Sequence, residues 1–439
     1  MNSTLRSYLF AAIITAGIIG LYVIGSREGF GPFPMRSAAV ERVYFADHIS
    51  PAHQAVIDLF NRTHAGRIEV VPVNLTFSKF STNERKELLA RSLRSKSDRL
   101  DVFSVDYIWT PRFAKWCEDL HPYFTPAEQE GIIPPAIRSC VNNGRLVAMP
   151  LYIDIGVMYY RTDIVRRLPD GADVEKKIQS SITWNELAAL RDRLQYRGRP
   201  FYIFQANDYE GLICNYFEII NSYDPEFFAK NTIDLRSETA KRSLRFLVDL
   251  VHKQGLSPLR VSDFDENHSY DFMLDSDAVF VRGWPNFVEN YRKFYPDTSK
   301  FPFIGRAPLP HFAGMPATSV YGGWNLMVSQ FSTKKAAAME FVRFLQTEEA
   351  QKMMFETGGY IPVNAAIYRD SAYLRLHPDL VFYKALVDRG FHRPFIEDYT
   401  RISDIISYFI HRAIRNEMGV DEALERASAM IESKSLLIR

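Results

Sequence analysis

The sequence predicts an α/β fold of two discontinuous lobes joined by hinge strands, and three observations carry that prediction. Strand and helix patterns alternate from residue 42 to residue 105. Extended stretches without helical period recur near residues 151–156, 306–310 and 361–366, where the chain passes between two sheets. Two Gly-Gly-aromatic turns, Gly322–Gly323–Trp324 and Gly358–Gly359–Tyr360, bracket an apolar strand and a long amphipathic helix. The 439 residues suffice for two or three domains. With 47% hydrophobic and 24% charged residues, the composition is that of an ordinary globular protein. Lys and Arg total 53 against 52 Asp and Glu, so no basic field is present to recruit nucleic acid.

The N-terminus stands apart from the fold. Residues 8–25 carry no charge and follow Arg6. The run is longer than a usual signal-peptide apolar region and just long enough to span a bilayer. No small-x-small cleavage site follows it directly, and the first cysteine is Cys117, so no lipid-bearing cysteine ends the run. The reading is an uncleaved membrane anchor, with a cleaved signal as the alternative, and an exported body. Residues 1–36 then form anchor and linker.

Residues 42–46 read as a first strand, 52–64 as an amphipathic helix with Val56, Leu59 and Phe60 on one face, and 68–73 as a second strand. A helix over 83–94 turns Leu88, Leu89 and Leu93 inward, and 102–105 is a third strand. This alternation predicts a parallel sheet with right-handed crossovers. Residues 148–161 form a long extended segment. Thr183 and Glu186 make a capping box that opens a helix. Strands follow at 278–281 and 326–329, with an extended return at 303–309, a helix over 334–345, and two closing helices over 402–415 and 420–431. Residues 40–153 with 310–363 make lobe one, and 154–309 with 364–439 make lobe two. A ligand then sits in the crevice at the carboxyl ends of the strands. Of three cysteines, Cys117 and Cys140 are a candidate disulfide, with three buried thiols as the plain alternative.

Several residues stand at strand ends or turns with chemistry suited to a polyhydroxyl ligand, which needs carboxylates for bidentate hydrogen bonds and aromatic faces for stacking. Asp106 ends the third strand and faces the crevice, unless it caps the next helical turn. Asp154 is a charge inside the apolar run Leu151–Gly156, costly unless paired or in a cleft. Its competing reading is a hinge salt bridge. Tyr152 shares its strand face. Trp284, held between Gly283 and Pro285, and Trp324, after Gly322–Gly323, are stacking platforms or else core residues. Arg393, fixed by Pro394, presents a guanidinium fork that clamps hydroxyls, or is a surface arginine. Glu210 and Glu218 suggest a glycosidase pair, but eight residues on one helix separate them by about 12 Å of rise, too far for either carboxylate geometry. No metal-ligand spacing involves the cysteines and histidines.

The order of the motifs DVFSVDYIW, AMPLYIDIGVMYYRTD, TWNEL, FQANDYEGLICNYFE, VRGWP and YGGWNLMVS…EFVRFL…EEAQ…GGYIPV resembles the extracellular solute-binding proteins of ABC sugar importers, of the trehalose- and maltose-binding type. The resemblance covers about residues 42–431. It implies a type II-like periplasmic-binding-protein fold, two α/β lobes closing on a di- or oligosaccharide, no catalysis and no cofactor. It implies partners in the permease subunits of the importer, with a monomeric binding protein outside the cytoplasmic membrane, tethered by the N-terminal helix. It assigns ligand contacts to Asp106, Tyr152, Asp154, Trp284, Gly323, Trp324 and Arg393, and to Glu210 less directly. Such binders often use a residue of the first strand–helix turn; here Asp47, His53 or Gln54 takes that place, which leaves the exact sugar open. The rival expectations are an extracytoplasmic glycosidase and a sensor subunit that reports the bound sugar to a membrane kinase or chemoreceptor.

Overall fold

The computed structural model describes residues 39–76, 82–396 and 398–434; the apolar run at 8–25 lies outside them. Eleven strands are described: β1 (Glu41–Asp47), β2 (Ile68–Asn74), β3 (Val102–Asp106), β4 (Val141–Asn142), β5 (Arg145–Leu146), β6 (Met149–Ile155), β7 (Val157–Arg161), β8 (Tyr202–Ile203), β9 (Phe280–Gly283), β10 (Ile304–Ala307) and β11 (Tyr321–Val328). They form two principal sheets, ordered β2-β1-β3-β11-β6 and β10-β7-β9-β8, with β4-β5 a small ladder of its own. The architecture is the two-lobed α/β arrangement that the strand–helix alternation predicts.

In the first lobe β1 runs parallel to both β2 and β3, as connections through helices require. The helix Pro51–Thr63 opens with Ser50, whose hydroxyl accepts the His53 amide, and with Pro51 at a position where a missing N–H costs nothing. Its inner face presents Val56, Ile57 and Phe60. Phe60 meets Phe341 edge-on at 5.1 Å, and Phe45 of β1 meets the same ring at 5.4 Å. These three rings fasten the helices Pro51–Thr63 and Lys335–Phe344 to the sheet. β11 then enters antiparallel between β3 and β6.

The chain changes sheets at Gly156. Ile155, the last residue of β6, pairs with Tyr321 in the first sheet, and Val157, the first of β7, pairs with Gly283 in the second. The capping box of Thr183 and Glu186 is formed in full and starts the helix Trp184–Arg193. The helices Glu210–Tyr223, Glu238–His252 and Tyr399–Ile414 pack together beside the second sheet.

Two expectations need correction. β11 begins at Tyr321, five residues before the apolar stretch that announces it, so the Gly-Gly-Trp triplet lies inside the strand rather than ahead of it. Glycine has low strand propensity, but hydrogen bonding to strands on both sides overrides it. β9 lies two residues later than its apolar pattern, at Phe280–Gly283. For the cysteines the plain alternative holds: Cys117 and Cys140 form no disulfide, and all three cysteines are buried free thiols. Cys117 donates to the Phe113 carbonyl and Cys140 to that of Ala136, each four residues back, so both behave as small core side chains.

Candidate ligand cleft

Sheet register assembles the first wall of the site. Trp324 on β11 pairs with Asp106 on β3 and with Tyr152 on β6, and Gly322 pairs with Asp154. Side chains of directly opposed residues share a sheet face, as do residues two apart on one strand. Asp106, Trp324, Tyr152 and Asp154 therefore stand together on one face, at the junction with the second lobe. Gly323 has φ of 128°, and a Cβ there would lie 2.5 Å from the Tyr152 carbonyl oxygen. Its glycine identity thus serves the close approach of β6 and the turn of Trp324 into this row.

Arg393 joins the lobes. One terminal nitrogen donates to Glu210 at 2.6 Å and the other to Asp106 at 3.1 Å. The guanidinium is 1% exposed and lies 5.1 Å from the ring centre of Tyr107. Asp106 belongs to the first sheet, while Glu210 opens the helix Glu210–Tyr223 of the second lobe. Tyr399 also donates to Glu210, at 2.5 Å. Burial pushes the Glu210 carboxyl above its ordinary range, against the pull of Arg393 and the Tyr399 hydroxyl. Asp106 also accepts the Ile108 amide at 3.1 Å, so it caps the turn Tyr107–Trp109 while holding Arg393. The capping reading of Asp106 is thus realised. Arg393 is neither a surface residue nor an open fork, since both its terminal nitrogens are engaged by carboxylates.

The facing wall comes from the end of β9. Arg282 is fully buried, pairs with Glu218 at 2.8 Å, and stacks 3.9 Å from the ring centre of Trp284. Trp284 donates from its indole nitrogen to Glu266 at 3.2 Å and from its backbone amide to the Tyr270 hydroxyl at 2.9 Å. Its ring presses on Gly322 of the opposite sheet: a Cβ on that glycine would lie 2.9 Å from the indole and 3.1 Å from the Asp154 Cβ. Arg282 takes the Glu218 pair, and among the described residues Asp154 is left outside any ion pair. It is 7% exposed, and its Oδ1 has no hydrogen-bond partner. Burial, reinforced by the nearby Asp106 charge and opposed by Arg282, raises its carboxyl to about 7. The hinge salt bridge considered for Asp154 is thus not formed.

A third cluster extends the first wall. Asp47 at the end of β1 pairs with Arg85 at 2.8 Å and lies 3.4 Å from His53 Nε2. Burial acts to raise the Asp47 carboxyl, but His53, Arg85 and Ser104 together hold it down at about 2. Arg85 in turn lies 4.3 Å from the ring centre of Trp324, a cation–π contact that fixes the indole. Tyr360, from the second Gly-Gly-aromatic turn, packs 4.5 Å from Tyr152 and 5.1 Å from His53. Of the three candidates from the first strand–helix turn, Asp47 and His53 are buried in this cluster. Gln54 is not: one residue on, helical rotation turns it outward, where its amide donates to Asp58 at 2.8 Å on the exposed face.

Arg85, Arg282 and Tyr399 are not among the candidates read from the sequence, and Tyr360 is marked there only by its Gly-Gly-aromatic turn. Arg85 and Arg282 carried a legible signal. Arg85 stands three and four residues before Leu88 and Leu89 on the apolar helix face, and Arg282 lies in an apolar strand, the pattern that singles out Asp154. Tyr399 carries none, because buried tyrosines are common in any core. Among the described residues no group of three or more His, Cys, Asp or Glu side chains is placed to hold a metal ion.

Trp284 and Trp324 thus stand with buried carboxylates where the two sheets meet. The family model of bacterial extracellular solute-binding proteins matches residues 45–352. The chain belongs to that family. Among curated relatives of this solute-binding protein is a probable ABC transporter-binding protein of Deinococcus radiodurans, 27% identical over 363 residues, covering 78% of this chain and 82% of the relative. An arabinooligosaccharide-binding protein of Bacillus subtilis is 22% identical over 225 residues, covering 50% and 49%. Among solved structures, maltose-bound MalE3 of T. maritima superposes with a TM-score of 0.79 at 25% identity, covering 90% of this chain and 100% of that one. The maltotriose-binding protein of Thermus thermophilus, bound with maltotriose, gives 0.71 at 20% identity, covering 89% and 99%, and shows the shared fold.

Proposed function

We propose that this solute-binding protein captures a di- or oligosaccharide between its lobes and delivers it to the permease of an ABC importer. The observation that carries the reading is the pair of tryptophans set against buried carboxylates. Trp324 stands in the row Asp106–Trp324–Tyr152, and Trp284 faces it from the end of β9. Indole faces cover the apolar side of a sugar ring while carboxylates accept its hydroxyls. The proposed contacts are Trp324, Tyr152 and Asp154 from the first lobe and Trp284 from the second. Asp106, Glu210 and Arg393 set the relative position of the lobes, and Gly323 shapes the wall. We assign residues 40–153 with 310–363 to one lobe and 154–309 with 364–439 to the other, with residues 8–25 as the membrane tether. The binding properties of the maltose, maltotriose and arabinooligosaccharide receptors above support the choice of a saccharide.

Isothermal titration calorimetry of residues 36–439 with trehalose, maltose, sucrose and longer α-glucans tests the proposal. Saturable one-to-one heat is expected from at least one of them, and Trp324→Ala abolishes it. A folded protein silent across the panel and across arabino-oligosaccharides would overturn the saccharide reading.

A further inference from the structure

Among the described residues Asp154 has no counter-ion at hydrogen-bond distance and no donor on its Oδ1, whereas Glu266, which also lacks a counter-ion, accepts the Trp284 indole N–H. Asp47 has Arg85, Glu218 has Arg282, and Asp106 and Glu210 share Arg393. Asp154 is equally deep, at 7% exposure, and its Oδ1 meets no donor. It lies on the same sheet face as Tyr152, opposite Gly322, where the Trp284 ring closes over the strand. A buried carboxylate without a donor is strongly disfavoured, whereas a buried neutral carboxyl, or a carboxylate that accepts a ligand hydroxyl, is not.

From this geometry we propose that ligand binding is coupled to release of a proton from Asp154. In the free protein below about pH 7 the carboxyl is neutral. The bound ligand supplies a hydroxyl that donates to Oδ1, the proton of Asp154 passes to solvent, and no covalent bond of the ligand changes. The inference rests on the saccharide reading above and adds the regulation of its site. The groups that face Asp154 agree with it. Asp106 on β3 opposes ionisation, and Arg282 on β9 favours it without forming a pair. Tyr152 on the same strand, Tyr270 on the helix Glu266–Asp275 and Tyr360 beyond the helix Glu348–Gly358 also sense its charge, and all three phenols are themselves pushed upward by burial. The Asp154 carboxyl, raised to about 7, is therefore the group poised to change charge near neutrality.

The sign follows directly. Below about pH 7 the free protein holds a proton that the complex does not, so binding releases it and affinity rises with pH. Above that value both states are ionised and the dependence vanishes. Calorimetry with the sugar that binds is carried out at about pH 6 and about pH 8, in phosphate and in imidazole, whose ionisation heats differ. The expected result is release of about 0.9 proton at the lower pH, little at the higher, and about tenfold tighter binding at the higher. Asp154→Asn, close in shape to the neutral acid, removes both the buffer dependence and the pH dependence. Saturable binding whose heat is the same in both buffers at the lower pH overturns the inference and leaves the saccharide reading intact. A proton release that persists in Asp154→Asn also overturns it. Absence of saturable heat from every sugar overturns the saccharide reading and this inference with it. The wild-type buffer comparison decides the matter even if the variant fails to fold.

Discussion

Arg393 shows how one side chain can tie two lobes. Its fork neutralises Asp106 and Glu210 in a site with almost no water access. Removing one partner of a buried ion pair leaves uncompensated charge, and that costs about 3–5 kcal/mol. Arg393→Met is expected to lower stability by about that amount, read as a drop in denaturant midpoint at unchanged slope. Asp154 makes a different residue-scale prediction. Its folded carboxyl lies near 7, above the unfolded value near 3.8, so the native state binds more protons between those limits. Stability from this group is present below about pH 4 and is lost as pH rises to about 7, by an amount on the order of 4 kcal/mol. Asp154→Asn should therefore gain stability relative to wild type as pH rises across that window, measured by urea titration. Asp47 has the opposite sign: held at about 2, it contributes stability above about pH 4 that is lost as pH falls toward 2.

At the scale of elements, β11 positions the site. It pairs with β3 and β6 at once, and a register irregularity follows Trp324. A slip of one residue would send Trp324 and its neighbours to the opposite face. Gly323 permits this placement through its positive φ and its close approach to the Tyr152 carbonyl. Gly323→Ala is expected to cost at least about 1–3 kcal/mol of backbone strain and to weaken sugar binding by displacing Trp324. Thermal melting and calorimetry on the same sample check both effects. Helices and their starts were legible in sequence because caps are local: the Thr183–Glu186 box needs only four residues. The start of β11 was not, because hydrogen-bond partners distant in sequence decide it.

At the scale of the whole molecule, the lobes meet through Arg393, through Trp284 on Gly322, and through Lys86, which lies 3.8 Å from Asp404. A ligand that binds only this folded form raises its stability by mass action, about 2.7 kcal/mol at a hundred times the dissociation constant. The melting temperature should therefore rise with a bound sugar, and Trp284→Ala should abolish the rise. The three thiols report on the same folded body. All are fully buried, and burial raises Cys214 to about 12 and the other two further. A thiol reagent should modify none of them in the native protein and all three after denaturation. Reaction of fewer than three in denaturant without reductant would reveal a disulfide.

The sequence by itself determined the two-lobed α/β class, most helices, and the chemical types gathered at the cleft. Period, caps and misplaced charges are written within a few residues of one another, so Asp106, Asp154 and both tryptophans were visible. Tertiary structure alone decided how those groups pair. It assigned Arg282 to Glu218 rather than Asp154, placed both nitrogens of Arg393 on carboxylates, brought Arg85 over Trp324, and turned Gln54 to solvent. The physical reason is range. Propensity and capping act over a helical turn, whereas a buried charge is settled by whichever opposite charge the folded chain brings within reach, here 64 residues away for Arg282 and 183 for Arg393.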